Sequence, residues 1–185
     1  MNHVLAGYRV ASRGARQDWQ DAGLPDGELV SASGCVTTVV TDGWDDWFGD
    51  PASAGRAREG RGDLHVLEVG IAARDVEPLL ADVREGGWDV AAGSLPARLA
   101  GAEPVRATDV LGFELVGYDS GTWHTWTCLG GLVEDVRTAT GVRPGRWGLV
   151  QDESEARAAA DWLTASGLGD PKVFFWVAAR LASAG

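Results

Sequence analysis

Lys172-Val173-Phe174-Phe175-Trp176-Val177-Ala178-Ala179-Arg180-Leu181 carries apolar side chains at both parities of a period-two pattern. A strand with one wet face alternates polar and apolar residues; a strand apolar on both faces is covered on both. This run reads as the last strand of the chain and as a central one.

Working back from it, Asp152 and Glu155 have capping-box spacing, with a carboxylate in place of the usual Ser or Thr. Ala156, Ala159, Ala160 and Leu163 then form a small-residue helix face that Gly167 closes. Trp147–Val150 is a short strand candidate. His124–Thr140 has the strongest helical pattern, with Trp126, Leu129, Leu132, Val133 and Val136 on one stripe and Gly141 as C-cap. Phe113–Tyr118 alternates as a strand, and Pro96–Asp109 is ambiguous. Leu64–Ile71 reads as a buried strand, followed by a helix with Val76, Leu79, Leu80 and Val83 inward and Gly86-Gly87 at its end. Trp88–Ala91 is a further strand candidate, and Val4–Val10 and Val36–Thr41 are strands of the first third. Residues 49–63 carry Gly49, Gly55, Gly60 and Gly62 among Ala, Ser and Arg, so a mobile Gly/Arg-rich loop is expected there. Strands come first and helices mix in later, with no strict βαβ repeat. The expectation is a single α+β domain over 1–185, a mostly antiparallel sheet packed by about three helices.

Charge bounds the function. The 27 acidic residues outweigh 16 basic ones, a net charge of −11. That field repels nucleic-acid phosphates and disfavours anionic membrane surfaces, and it speeds encounter with a basic protein. Lys172 is the sole lysine. Two cysteines make no disulfide framework, and neither a signal peptide nor a membrane-spanning run is visible. Cytoplasmic residence with reduced thiols is expected.

Phosphate loops, dinucleotide glycine patterns, His-Glu-x-x-His, Gly-x-Ser-x-Gly and Cys-x-x-Cys are missing from the sequence. On a helix, His124 and Cys128 would share a face, and an imidazole beside a thiol lowers the thiol pKa, with Asp119 to orient the ring. The bland alternative is a helix-start histidine and a small core cysteine. The same pair with His65 or Cys35 offers zinc ligands, but only one closely spaced pair exists. Asp42, Asp45, Asp46 and Asp50 lack the regular alternation of a calcium loop. No metal and no cofactor are therefore expected.

Two surfaces remain. Trp44, Trp47 and Phe48 among Asp45, Asp46 and Asp50 combine aromatic anchors with an acidic rim, the composition of a binding hot spot. Asp119, Thr122, Trp123, His124 and Cys128 lie where a strand ends, a tight turn follows and a helix is expected to begin, a candidate small-ligand pocket. Phe113-Glu114-Leu115-Val116-Gly117-Tyr118-Asp119, followed by Trp123-His124-Thr125-Trp126-Thr127-Cys128, resembles small acidic bacterial proteins, some of which neutralise toxins. That resemblance implies an immunity-like inhibitor. The expectation is a non-enzymatic cytoplasmic binding protein masking a basic protein partner. The alternative is a small-molecule-binding or enzymatic protein, a resistance or biosynthesis accessory, acting through the Asp119–Cys128 pocket.

Overall fold

The computed structural model describes residues 2–16, 20, 24, 27–36, 39–40, 47–87, 95–106, 108–119, 122–128, 130–168 and 173–180, with the backbone alone at 118, 119, 122 and 173–180. The elements run β1 (His3–Ser12), β2 (Gly14–Ala15), β3 (Glu28–Leu29), β4 (Val39–Val40), α1 (Pro51–Arg58), β5 (Leu64–Ala72), α2 (Ala73–Gly86), α3 (Leu95–Gly101), β6 (Val110–Asp119), β7 (Thr122–Thr125), α4 (Leu132–Thr140), α5 (Glu153–Ser166) and β8 (Val173–Arg180). Short 3-10 turns stand at Trp126–Cys128 and Arg146–Gly148.

One sheet orders its strands β4-β1-β5-β8-β6-β7, every neighbouring pair antiparallel. β2 and β3 form a separate two-stranded ribbon. This is the α+β class, and the last strand is central, flanked by β5 and β6. Ile71 and Glu114 are both in register with Trp176 of β8, so the two share a sheet face. Leu67, Val69, Ile71 and Val116 pack there with Ala32, Trp47, Trp123 and the buried leucines of α2 and α3. On the other face, Phe113 and Leu115 meet Val133 and Val136 of α4 and the small face of α5. Nearer the β1 end, Leu5, Tyr8, Val10, Leu64 and Val66 enclose Phe48 and Ala54.

Among the described residues five α-helices stand where about three were expected. Residues 49–63 are not a plain loop, because α1 occupies 51–58. Asp50 caps it, accepting from the Ser53 amide at 2.8 Å, and Pro51 opens the first turn, where its missing N–H costs nothing. The segment lacks a large apolar residue because Ala54, fully buried, makes the contact with β1 and β5. α3 falls in the ambiguous stretch. The expected helix over 124–140 is shortened at its start. Thr122–Thr125 pairs with Val116–Asp119 as β7, a 3-10 turn follows, and Gly131, at φ +84°, begins α4. β-branched and aromatic residues next to a tight turn favour the hairpin over a first helical turn.

Other expectations shift in smaller ways. Of Val36–Thr41, Val39 and Val40 pair with β1, Val36 lies in a turn, and the rest lies outside the described residues. Trp147–Val150 forms a 3-10 turn and a single bridge from Val150 to Phe113 instead of a strand. Trp88–Ala91 lies outside the described residues. Asp152 caps α5 through the amides of Ser154 and Glu155, and Gly167 ends it in the left-handed conformation. Among the described residues no helix is long and apolar enough to cross a membrane.

The docked state of α1 is testable at Ala54. Replacement by Leu forces extra methylenes into a filled site, which costs about 1–3 kcal/mol. Urea unfolding of Ala54→Leu should show that loss; an unchanged midpoint would mean that 49–63 does not pack on the sheet.

Candidate functional site

Of the acidic aromatic segment, the structure describes Trp47 to Asp50, and there the aromatic side chains are buried. Trp44, Asp45 and Asp46 lie outside the described residues. Trp47 is 2% exposed, meets Trp123 edge-on at 6.2 Å, and has the Arg9 guanidinium over its ring at 4.6 Å. Phe48 is buried, and its backbone pairs with Tyr8. Both side chains are spent on the core: the bridge from Phe48 to Tyr8 sets this stretch along β1, and Trp47 packs on Trp123. Asp50 is exposed, but its carboxylate serves the α1 cap, and the Ser53 hydrogen bonds hold its pKa below the ordinary value. Trp47 and Phe48 are thus corrected from partner anchors to core residues.

The second cluster is partly assembled by the hairpin. Asp119 and Thr122 face each other in register at the β6–β7 turn, with their side chains outside the described residues. Trp123 is buried; His124 and Cys128 are half-buried. His124 is on a strand and Cys128 ends a 3-10 turn, so a helix face is not what brings them together. The apolar cleft beside them, lined by Ala32, Trp47, Val116 and Trp123, has no room for a water.

What completes the cluster comes from ninety residues upstream in the sequence. Ser31-Ala32-Ser33-Gly34-Cys35 runs over Glu114 and then along the free edge of β7. The Ser31 hydroxyl and the Ala32 amide, the latter at 2.8 Å, donate to the Glu114 carboxylate. The Ser33 amide donates to Ser31 Oγ at 2.9 Å, and the Cys35 amide to Ser33 Oγ at 3.1 Å. These are successive serine turns, each hydroxyl satisfying an amide two residues on. Ser33 Oγ donates to the Trp123 carbonyl at 2.7 Å. The backbone that carries Cys35 is therefore tied to the sheet at two points.

Cys35 Sγ stands 3.5 Å from His124 Nδ1, and the ligand atoms of Cys35, His124 and Cys128 all lie within 4.8 Å of one another. The hydrogen bond from Cys128 is the main cause that lowers the Cys35 pKa to about 5. Ser33 and the His124 imidazole add to it, and burial opposes it. A thiolate at neutral pH, a second thiol and an imidazole make a nucleophilic and soft-ligand set. Neither cysteine is in a disulfide. The sequence suggested His124 with Cys128, and offered His65 or Cys35 as a further zinc ligand; the structure brings Cys35, not His65, to the pair, and Ser33 and Glu114 were not foreseen. The one local signal was the alternation Ser31, Ser33, Cys35, which suits consecutive side-chain turns.

No protein-family model, curated protein or solved structure matches the chain. The chemistry of the site stands on its own geometry.

Two measurements probe that geometry. Alkylation of Cys35 by iodoacetamide in metal-free buffer should follow an apparent pKa of about 5, and Cys128→Ala, which removes the donor, should move it back toward the ordinary thiol value. Labelling that rises only in alkaline buffer would refute the arrangement. For Glu114, burial pushes the carboxyl above its usual range, against the hydrogen bonds from Ser31, Ala32 and Thr125. The folded state then holds this proton to higher pH than the unfolded chain, so the group's contribution is full at low pH and is lost as pH rises through the folded pKa. The stability difference between Glu114→Gln and wild type should shift in favour of Gln from about pH 4 to about pH 8, measured by urea unfolding. A flat difference would count against a buried ionisable Glu114.

Proposed function

We propose that the protein is a redox-responsive dithiol protein, with Cys35 as the reacting thiolate and Cys128 as its resolving partner. The observation that carries this reading is the convergence of the chain's only two cysteines, from positions 35 and 128, on one imidazole. Redox-sensing cysteines are low-pKa, accessible and placed beside a resolving thiol, and Cys35 and Cys128 are both half-buried, not sealed in. The chemistry needs no substrate cleft, in keeping with the closed apolar neighbourhood of Trp123.

The step balances with a peroxide as the oxidant. The Cys35 thiolate attacks the O–O bond; an S–O bond forms, the O–O bond breaks, and the departing alkoxide or hydroxide takes a proton. Cys35 is then a sulfenic acid, oxidised by two electrons. The Cys128 sulfur attacks the Cys35 sulfur, the hydroxide leaves with the Cys128 proton as water, and a disulfide remains.

An inhibitor of a basic partner is the second reading. The net charge of −11 favours it, while Trp47 and Phe48, both buried, supply it no anchors.

One equivalent of hydrogen peroxide should lower the intact mass by about 2 Da, the two hydrogens lost on disulfide formation. Peptide mapping should join Cys35 to Cys128. In Cys128→Ser the reaction should stop at a sulfenic acid on Cys35 that dimedone traps. A protein that stays reduced, or that goes to a sulfinic acid with no disulfide, would overturn the proposal.

A further inference from the structure

We propose that the reduced site is a zinc site, with Cys35 Sγ, His124 Nδ1 and Cys128 Sγ as its three ligands among the described residues and the fourth position taken by water. This rests on the reading that Cys35 and Cys128 act as a pair. Zinc takes thiolate sulfur at about 2.3 Å and imidazole nitrogen at about 2.0–2.1 Å in a tetrahedron, so a sulfur–nitrogen edge is about 3.6 Å. The observed edge from Cys35 to His124 is 3.5 Å, and all three ligand atoms lie within 4.8 Å, a triangle that small rotamer changes close around one ion.

The donor set selects the metal. Two sulfurs and an imidazole suit a soft or borderline ion, not magnesium or calcium, which take oxygen. Iron–sulfur clusters are held by four cysteines, or by two with two histidines, and the chain offers two cysteines with one histidine at the site. Two thiolates balance the charge of a divalent ion, so the filled site is neutral in half-buried surroundings. The ligands also sit on supports that do not depend on the metal. The Ser31–Ser33 turns and the Trp123 carbonyl hold the Cys35 loop, and pairing of Gly117 with His124 holds the imidazole strand. Three protein ligands with one open position is the arrangement of zinc sites that exchange an outside ligand, whereas purely structural sites close all four. Oxidation of the two sulfurs to a disulfide removes two of the three ligands, so zinc occupancy and thiol oxidation exclude one another.

The test uses the full chain, reduced and metal-free. Cobalt(II), as a spectroscopic stand-in, should bind one equivalent with the intense visible bands of tetrahedral geometry and a thiolate-to-cobalt charge-transfer band. One equivalent of zinc should bleach both. Cys35→Ser, Cys128→Ser and His124→Ala should each weaken zinc binding by more than the roughly 10–100-fold that loss of an outer-shell partner costs. Circular dichroism should show each variant folded, and His124→Cys should restore binding with stronger charge transfer. His65→Ala, where the ring accepts from Arg13 at 2.9 Å away from the site, should leave affinity unchanged. Octahedral cobalt spectra, or tight binding that survives loss of both cysteines, would each overturn the zinc assignment. If peroxide still joins Cys35 to Cys128 while cobalt gives no tetrahedral bands, the dithiol reading stands and the zinc site falls. If neither occurs, both fall.

Discussion

A carboxylate taken out of water must be given hydrogen bonds where it lands, and Glu114 is fully enclosed on the sheet. Its partners come from a loop more than eighty residues earlier, Ser31 and Ala32, and from Thr125 on the neighbouring strand. That requirement fixes the path of the loop. Once Ser31 and Ala32 are pinned, the serine turns leave Cys35 over the edge of β7 and beside His124. The thiol cluster is in this sense a product of a buried acid: a satisfied polar group in the core sets the position of a reactive group at the surface.

The sequence made the sheet legible where burial imposes a simple period. Phe113–Tyr118 and the doubly apolar run ending at Arg180 both became strands, the latter central, and Asp152 capped the helix whose small face the alanines announce. Prediction failed where small residues do the packing. Around α1, the criterion of large apolar side chains missed Ala54, although Asp50 and Pro51 together spell a helix start. At Thr122–Thr125 the helical stripe of Trp126, Val133 and Val136 was real, since those residues share one core cluster, but it extended too far toward the N-terminus across a hairpin. A three-dimensional turn and a helix can present the same apolar side chains to the same neighbour.

The candidate site was half legible for a different reason. His124 and Cys128 are close in sequence, and any local bend keeps them close. Cys35 joins them through a contact spanning 89 residues, which no spacing rule encodes. Conversely, charge and aromatic rings side by side suit an interface, yet within that segment Trp47 and Phe48 are buried, and Trp47 pairs with Trp123 inside the molecule. The aromatic pair also ties the two sequence features together, since Trp123 is the residue before His124 and its carbonyl anchors Ser33.

The central place of β8 has a consequence for synthesis. Among the described strands, β4-β1-β5 and the hairpin β6-β7 join one sheet only through β8. While the nascent chain emerges, β5 and β6 each present an open edge that their true neighbour has not yet reached. Such edges are templates for pairing with another chain, and non-local closure of this kind is slow. The vulnerable period is therefore the one before β8 has been made and docked: until then two half-sheets wait with one missing staple.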